Sequence, residues 1–243
     1  MGLNKPAIKW LEGQKIPLVA YAASGYYNVK HDSAMMLRLG VRALKERGCS
    51  HIGMWTPSET FHRSKEYLAQ SMMRFVRESF SLFSDAMKEA ELAIESELVR
   101  DNRYLLRDQK ESSIASEREQ GYEAAQKLFG AERQPNELLP DGILFTNDLM
   151  AAGAANALEK LGMKVGRDVH IATLANAGSP VLADYEDRVI RLEFDTQEVA
   201  SHLFAMLETL MRGETIAEPS VKVAPHLRYP DVRHPENSKE QSI

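Results

Sequence analysis

The stretch from Gly142 to Leu174 constrains the fold more than any other part of the chain. It opens on an apolar pentad, Gly142 to Thr146 (GILFT). Asn147 follows, a residue type whose side chain caps helices. Met150, Ala154, Leu158 and Leu161 then recur at helical spacing, Gly162 closes the run, and His170 to Leu174 (HIATL) is apolar again. Strand, helix, strand within about 30 residues is the pattern of a βαβ unit. Its strands are parallel, and a parallel sheet needs helices on both faces.

The rest of the chain supplies them. Ile16 to Ala22 (IPLVAYA) reads as a buried strand. Asp32 suits an N-cap and Gly48 a C-terminal stop, with Met36, Leu37, Gly40, Val41 and Leu44 at helical spacing between them. His51 to Trp55 (HIGMW) reads as a second strand. From about Thr60 to Leu92 the pattern is helical, with Phe75, Phe80, Phe83 and Met87 on one stripe; core packing outweighs a cofactor box there. Leu98-Val99 suits a short strand, residues 111–129 a helix, and Gln134 to Asp141 a loop. Arg188 to Phe194 alternates as a half-buried strand. Asp195 caps a helix with Val199, Leu203, Met206 and Leu210 on one face, closed by Gly213. Val221 to Val223 is a final strand, and the polar end from Asp231 is expected to fray.

In open α/β sheets, ligands sit beyond the carboxyl ends of the strands. That rule nominates Ser24 to Tyr27, Trp55 to Ser58, Asn147-Asp148, Ala175-Asn176 and Phe194-Asp195. Composition narrows what they can do. The formal charge of -5 argues against nucleic-acid binding as the dominant property. The single cysteine, Cys49, rules out an intramolecular disulfide. No run reaches 18 apolar residues, and Lys5, Lys9, Glu12 and Lys15 interrupt any signal-peptide core. Met1-Gly2 hints at myristoylation, but Pro6 stands where Ser or Thr is required. A cytoplasmic location is expected. There is no GxGxxG after a strand, no GxxxxGK[ST], no GxSxG and no HExxH. No catalytic residue, metal or cofactor is expected, and Cys49 suits a core position better than a nucleophile.

Thr146 to Val169 reads TNDLMAAGAANALEKLGMKVGRDV. It resembles the "nD-x-x-A-x-G-x-x-x-A-L-x-x-x-G-x-x-V-x-x-D-V" segment of LacI-family transcriptional regulators. The following HIATLAN resembles the family's "i-v-v-G-y-D-n". Gly40 to Met54 (GVRALKERGCSHIGM) and Val189 to Gly213 match two further blocks in order and spacing, so the likeness spans most of residues 16–230. It implies a two-lobed, periplasmic-binding-protein-like α/β fold: residues 1–49 a partial first lobe, 50–193 the second lobe, 194–230 the return and crossover, and 231–243 a disordered tail. It also implies a small-molecule effector, sugar-like or nucleoside-like, held between the lobes. Its binding shifts the DNA affinity of a helix-turn-helix head.

The sequence departs from the family pattern twice. Two βα units, some 60–70 residues at roughly 30 per unit, would precede the strand matching Ile16 to Ala22. Pro6, Gly13 and Pro17 also break any helix-turn-helix before residue 16. The chain therefore reads as N-terminally truncated, with first lobe incomplete and operator DNA reached only through a head it lacks. Apolar surface on helix 195–212 and around strand 16–22 should then be exposed. The second departure is at the acid of "G-y-D-n". Here it is Ala175, whose methyl cannot accept a hydroxyl hydrogen bond; Asn176 beside it offers one donor and one acceptor.

Effector contacts are expected from Ser24, Tyr26, Tyr27, Trp55, Arg63, Asn147, Asp148, Asn176 and Phe194. Each has a plainer reading. Asn147 and Asp148 suit a helix N-terminus as cap and dipole-complementing acid, Trp55 suits partial core burial, and the tyrosines suit an exposed loop. Arg63 lies where the likeness is weakest. Residues 178–186 and helix 149–161 match regions that form the family's dimer, so a homodimer is expected. A free solute-binding protein of the same fold and an enzyme on a doubly wound sheet are the competing readings.

Overall fold

The computed structural model describes residues 5–22, 27–57, 78–101, 116–131 and 133–230. The chain runs α1 (Lys5–Gly13), β1 (Ala20–Tyr21), β2 (Asn28–His31), α2 (Ser33–Glu46), β3 (Ile52–Thr56) and a helical run over 78–89, α3. It continues with a 3-10 turn (Ser96–Leu98), β4 (Val99–Asp101), α4 (Glu117–Phe129), β5 (Gly142–Phe145), α5 (Asp148–Lys160) and β6 (His170–Asn176). A second 3-10 segment (Pro180–Tyr185), β7 (Ile190–Phe194), α6 (Thr196–Met211), β8 (Ser220–Val223) and β9 (His226–Arg228) complete it.

The strands form two sheets, one ordered β1-β2-β8 and one ordered β4-β3-β5-β6-β7-β9. Every pairing is parallel except β7 with β9. In the larger sheet, successive side chains go to opposite faces, as strand geometry requires. Ile143 and Phe145 enter the core under α4 and α5, while Leu144 enters the core under α2 and α3. The second of these cores also takes in Val29, Val223, Val199 and Met206, so one apolar cluster reaches from the large sheet to β2, β8 and α6.

Helix ends follow local chemistry. The Asp32, Asn147 and Asp195 side chains each accept a backbone N–H in the first turn of α2, α5 and α6. Ser116 and Glu119 form a reciprocal capping box on α4. Gly162 takes φ +80° just past α5, where a side chain would be strained.

The structure corrects the sequence at several places. The strand expected over 16–22 is paired only at Ala20 and Tyr21, against Asn28 and Val29. Pro17 has no N–H to give a ladder, and β2 offers only four residues. β2 itself was not foreseen, because Asn28, Lys30 and His31 break an apolar run; β9 is only three residues long. Pro6 does not break the N-terminal stretch. It sits in the first turn of α1, where a missing N–H costs nothing. α2 falls in the segment assigned to the first lobe, yet it packs against β5, β6 and β7 of the large sheet. Its buried stripe, Met36 to Leu44, meets Leu144 and Leu192 there. The large-sheet unit thus begins near residue 32, not residue 50. The helix expected from Thr60 is described only from residue 78.

α6 packs against β2 and β8 and buries only Val199 and Met206 among its 16 residues. Phe204 and Met211 are 65% and 70% exposed, and Ile16 and Tyr21 are also exposed. Apolar surface lies where the sequence placed it.

Candidate functional site

The carboxyl ends of β3, β5, β6 and β7 lie side by side, and the chain crosses between the two sheets beside them. Thr56 ends β3, and its Oγ1 accepts a hydrogen bond from Thr146 Oγ1, just past β5, at 3.2 Å. Asn176 ends β6 opposite Phe194, which ends β7. The Ala177 N–H donates to the Phe194 carbonyl at 3.0 Å and closes this corner. Asn176 is exposed, and no hydrogen bond of its side chain is seen among the described residues. Its amide is therefore the most available donor–acceptor group at the rim.

Asn147 and Asp148 are both engaged in structure. Asn147 Oδ1 accepts the Met150 N–H at 2.9 Å, while its Nδ2 donates to Glu117 Oε2 at 3.1 Å. This side chain thus joins α5 to the start of α4. Asp148 Oδ1 accepts the Leu149 N–H at 2.9 Å, and Ser179 Oγ approaches Oδ2 at 3.5 Å. Both residues edge the site, and both are held in place from below.

Trp55 is elsewhere. It is 0% exposed and sits edge-on to Phe145, centroids 5.3 Å apart, in the core under α4 and α5. Its position in β3 turns the indole to the helix-covered face, and Thr56 takes the strand end. Ala175 is buried as well. Tyr27 is half-buried against the core, and its carbonyl accepts the Ala20 N–H. Ser24, Tyr26 and Arg63 lie outside the described residues.

Two groups at this corner escaped the sequence reading. His31 ends β2, and its ring stacks on Phe194 with centroids 3.8 Å apart and planes 18° from parallel. Tyr21 meets the same imidazole edge-on, its hydroxyl 2.9 Å from Nε2. Burial lowers the His31 pKa and raises that of Tyr21. The phenol therefore stays protonated near neutrality, beside a ring whose neutral form burial favours. The signal that could have found His31 was its place beside the Asp32 cap, where a strand must end.

Other ionisable groups belong to the far end of the sheet. Asp141 accepts hydrogen bonds from the Ser50 N–H and hydroxyl and from the His51 N–H, which fixes the turn before β3. Burial and the Asp141 charge push the Cys49 thiol up to about 12, so it holds no thiolate near neutrality. A cavity of 680 Å³ opens at that end, beside Arg47, Lys164, His170 and Arg188. Arg188 is committed to Glu159 and Asp187, and the cavity is separate from the carboxyl-end corner.

Two largely parallel sheets flanked by helices, with chain crossings between them, define a two-sheet α/β protein. The periplasmic binding protein-like domain matches residues 41–229, and the chain belongs to that family. Among curated proteins none matches. Among solved structures, a LacI-family regulatory protein from Chloroflexus aggregans is similar at 20% identity and TM-score 0.70, over 95% of this chain and 73% of that one. The transcription regulator CcpA of Lactococcus lactis is similar at 17% identity and TM-score 0.67, over 93% and 73%. A transcriptional regulator CelR in complex with cellobiose is similar at 18% identity and TM-score 0.65, over 94% and 62%. At these identities the likeness establishes the fold. The periplasmic-binding-protein-like architecture read from the four sequence blocks is the architecture found.

Proposed function

We propose that this chain is the effector-sensing domain of a LacI-type transcriptional regulator, a cytoplasmic sensor and not an enzyme. The observation that carries the reading is the corner formed by Thr56, Thr146 and Asn176 above the buried Phe194 ring. It lies at the carboxyl ends of four parallel strands and beside the crossings between the sheets. A molecule bound there would touch both sheets, and its differential affinity for two sheet arrangements would shift their populations. Coupling to DNA would run through a helix-turn-helix head outside this chain, with a homodimer as the operating form.

The polar groups at this corner are hydroxyls, the Asn147 and Asn176 amides and the His31 imidazole, and Asp148 is already tied into its own helix. A neutral, hydroxyl-bearing effector of sugar-like or nucleoside-like type suits such groups. Cellobiose, held by one structural neighbour, is a molecule of that kind. Asn176 is its expected grip in place of an acid at Ala175. A solute-binding protein of the same fold would use the same corner without a DNA role.

The test is thermal unfolding of the purified chain against a panel of neutral sugars and nucleosides. A true effector raises the melting temperature in a saturable way by mass action. If every compound leaves the melt unchanged at millimolar concentration, the sensor reading fails. Fusing the chain to a helix-turn-helix head then separates the two roles. A regulator domain makes operator binding depend on the compound, whereas a solute carrier leaves it unaffected.

A further inference from the structure

His31 and Phe194 stand at the two places where the chain passes between sheets. His31 ends β2 of the small sheet, two residues before α2, which packs against the large one. Phe194 ends β7 of the large sheet, two residues before α6 packs against the small one. Their rings stack face to face at 3.8 Å, with Phe194 fully buried. On the other side Tyr21 of β1 fixes the imidazole plane through its hydroxyl at 2.9 Å from Nε2. A ring pair that spans a crossover cannot keep its overlap if one sheet turns on the other.

We propose that His31 is a positioning residue that latches the two sheets together, and that its protonation releases the latch. The neutral ring satisfies three conditions at once. It stacks on an apolar face, it shares a hydrogen bond with the Tyr21 hydroxyl, and it occupies a half-buried place without carrying charge. A second ring proton places a charge where burial disfavours it.

Charged groups of both signs lie on the surrounding elements. They are Lys30 and Asp32 on its own strand and cap, Lys222 on β8, and Asp195 and Glu198 at the start of α6. Asp32 and Asp195 are both occupied in capping helices. Glu198 faces His202 one turn along α6. Burial is the resolved influence on the ring, and it lowers the pKa.

The sign follows from that direction. A histidine whose folded pKa is lowered contributes stability in full above its unfolded pKa. That contribution is lost as the pH falls through the folded pKa. Acidification therefore loosens the pair, and the open arrangement of the sheets gains population.

The test needs no effector, so it stands apart from the sensor reading. NMR titration of the His31 ring in the full chain should give a pKa below the usual histidine range. His31→Phe keeps a flat ring on Phe194 and has nothing to protonate. Between pH 8 and pH 5 the wild-type melting temperature should fall relative to this variant by about 3 °C. Small-angle scattering should show acid expansion in the wild type alone. A melting gap that stays constant across pH would mean simple packing and overturn the proposal. So would a His31 pKa at or above the usual histidine range, and this titration decides alone if His31→Phe does not fold.

Discussion

Replacing Gly153 by alanine tests how α5 is seated beneath the site. α4 and α5 pack closely along their length, and two glycines make the approach feasible. A Cβ at Gly153 would lie 1.9 Å from the Arg118 carbonyl oxygen, and one at Gly121 would lie 2.0 Å from that of Met150. An ordinary carbon–oxygen contact is about 3.3 Å, so the helices must part by roughly 1.4 Å. Both obstacles are backbone, so no rotamer change relieves them. Overpacking of this kind costs about 3 kcal/mol, while alanine returns about 1 kcal/mol of helix propensity. The net loss is about 2 kcal/mol, or about 4–8 °C in melting temperature for a chain of this size. The double variant Gly121→Ala with Gly153→Ala should cost clearly less than the sum, because one separation serves both sites. Urea unfolding of the three variants measures this. An alanine at 153 that is neutral or stabilising would refute the close approach and, with it, the account of how Asn147 reaches Glu117.

Other outcomes follow from single side chains. Asn147→Ala should destabilise by about 1 kcal/mol through the lost cap; Asn147→Asp should keep the cap but set a carboxylate against Glu117, and so fall between the two. Trp55→Ala should cost about 3–5 kcal/mol, as a core truncation does, while Trp55→Phe retains ligand response in the thermal panel. The Glu95 carboxylate, 2.9 Å from His51 Nδ1, raises the His51 pKa. That contribution to stability is complete below the unfolded histidine pKa and is lost as the pH rises through the folded value, so Glu95→Gln should flatten the melting profile between pH 6 and pH 8.5. Cys49 should resist a thiol reagent in the folded chain and react on unfolding, and its labelling rate should track the opening reaction.

Much of the large sheet was legible because its signals are local. An apolar pentad, an Asn cap, a helical stripe and a glycine stop follow one another from Gly142 to Gly162, and each is a short-range preference. The same logic found Asp32 and Asp195 as caps. The small sheet was harder to read. β2 is Asn-Val-Lys-His, which becomes a strand only because β1 and β8 lie on either side, and no local pattern records those neighbours. The placement of α2 was misread for a similar reason, since its stripe shows that it packs but not against which sheet. At the site, the strand-end rule nominated strand termini, and it could not say which side chains reach the rim. Period-two alternation puts the Trp55 indole inside and leaves Thr56 at the rim. His31 was missed because its role depends on Phe194, which lies 163 residues away in sequence.

The central claim is that a small neutral molecule binds where β6 and β7 end. Isothermal titration of the best stabilising compound from the thermal panel, against wild type and Asn176→Ala, tests it most directly. The account predicts one site per chain and an affinity about tenfold weaker in the variant, the loss of roughly one hydrogen bond. Equal affinity in both proteins, with the compound's NMR shifts mapping to Arg47 and His170 at the far end of the sheet, would contradict it.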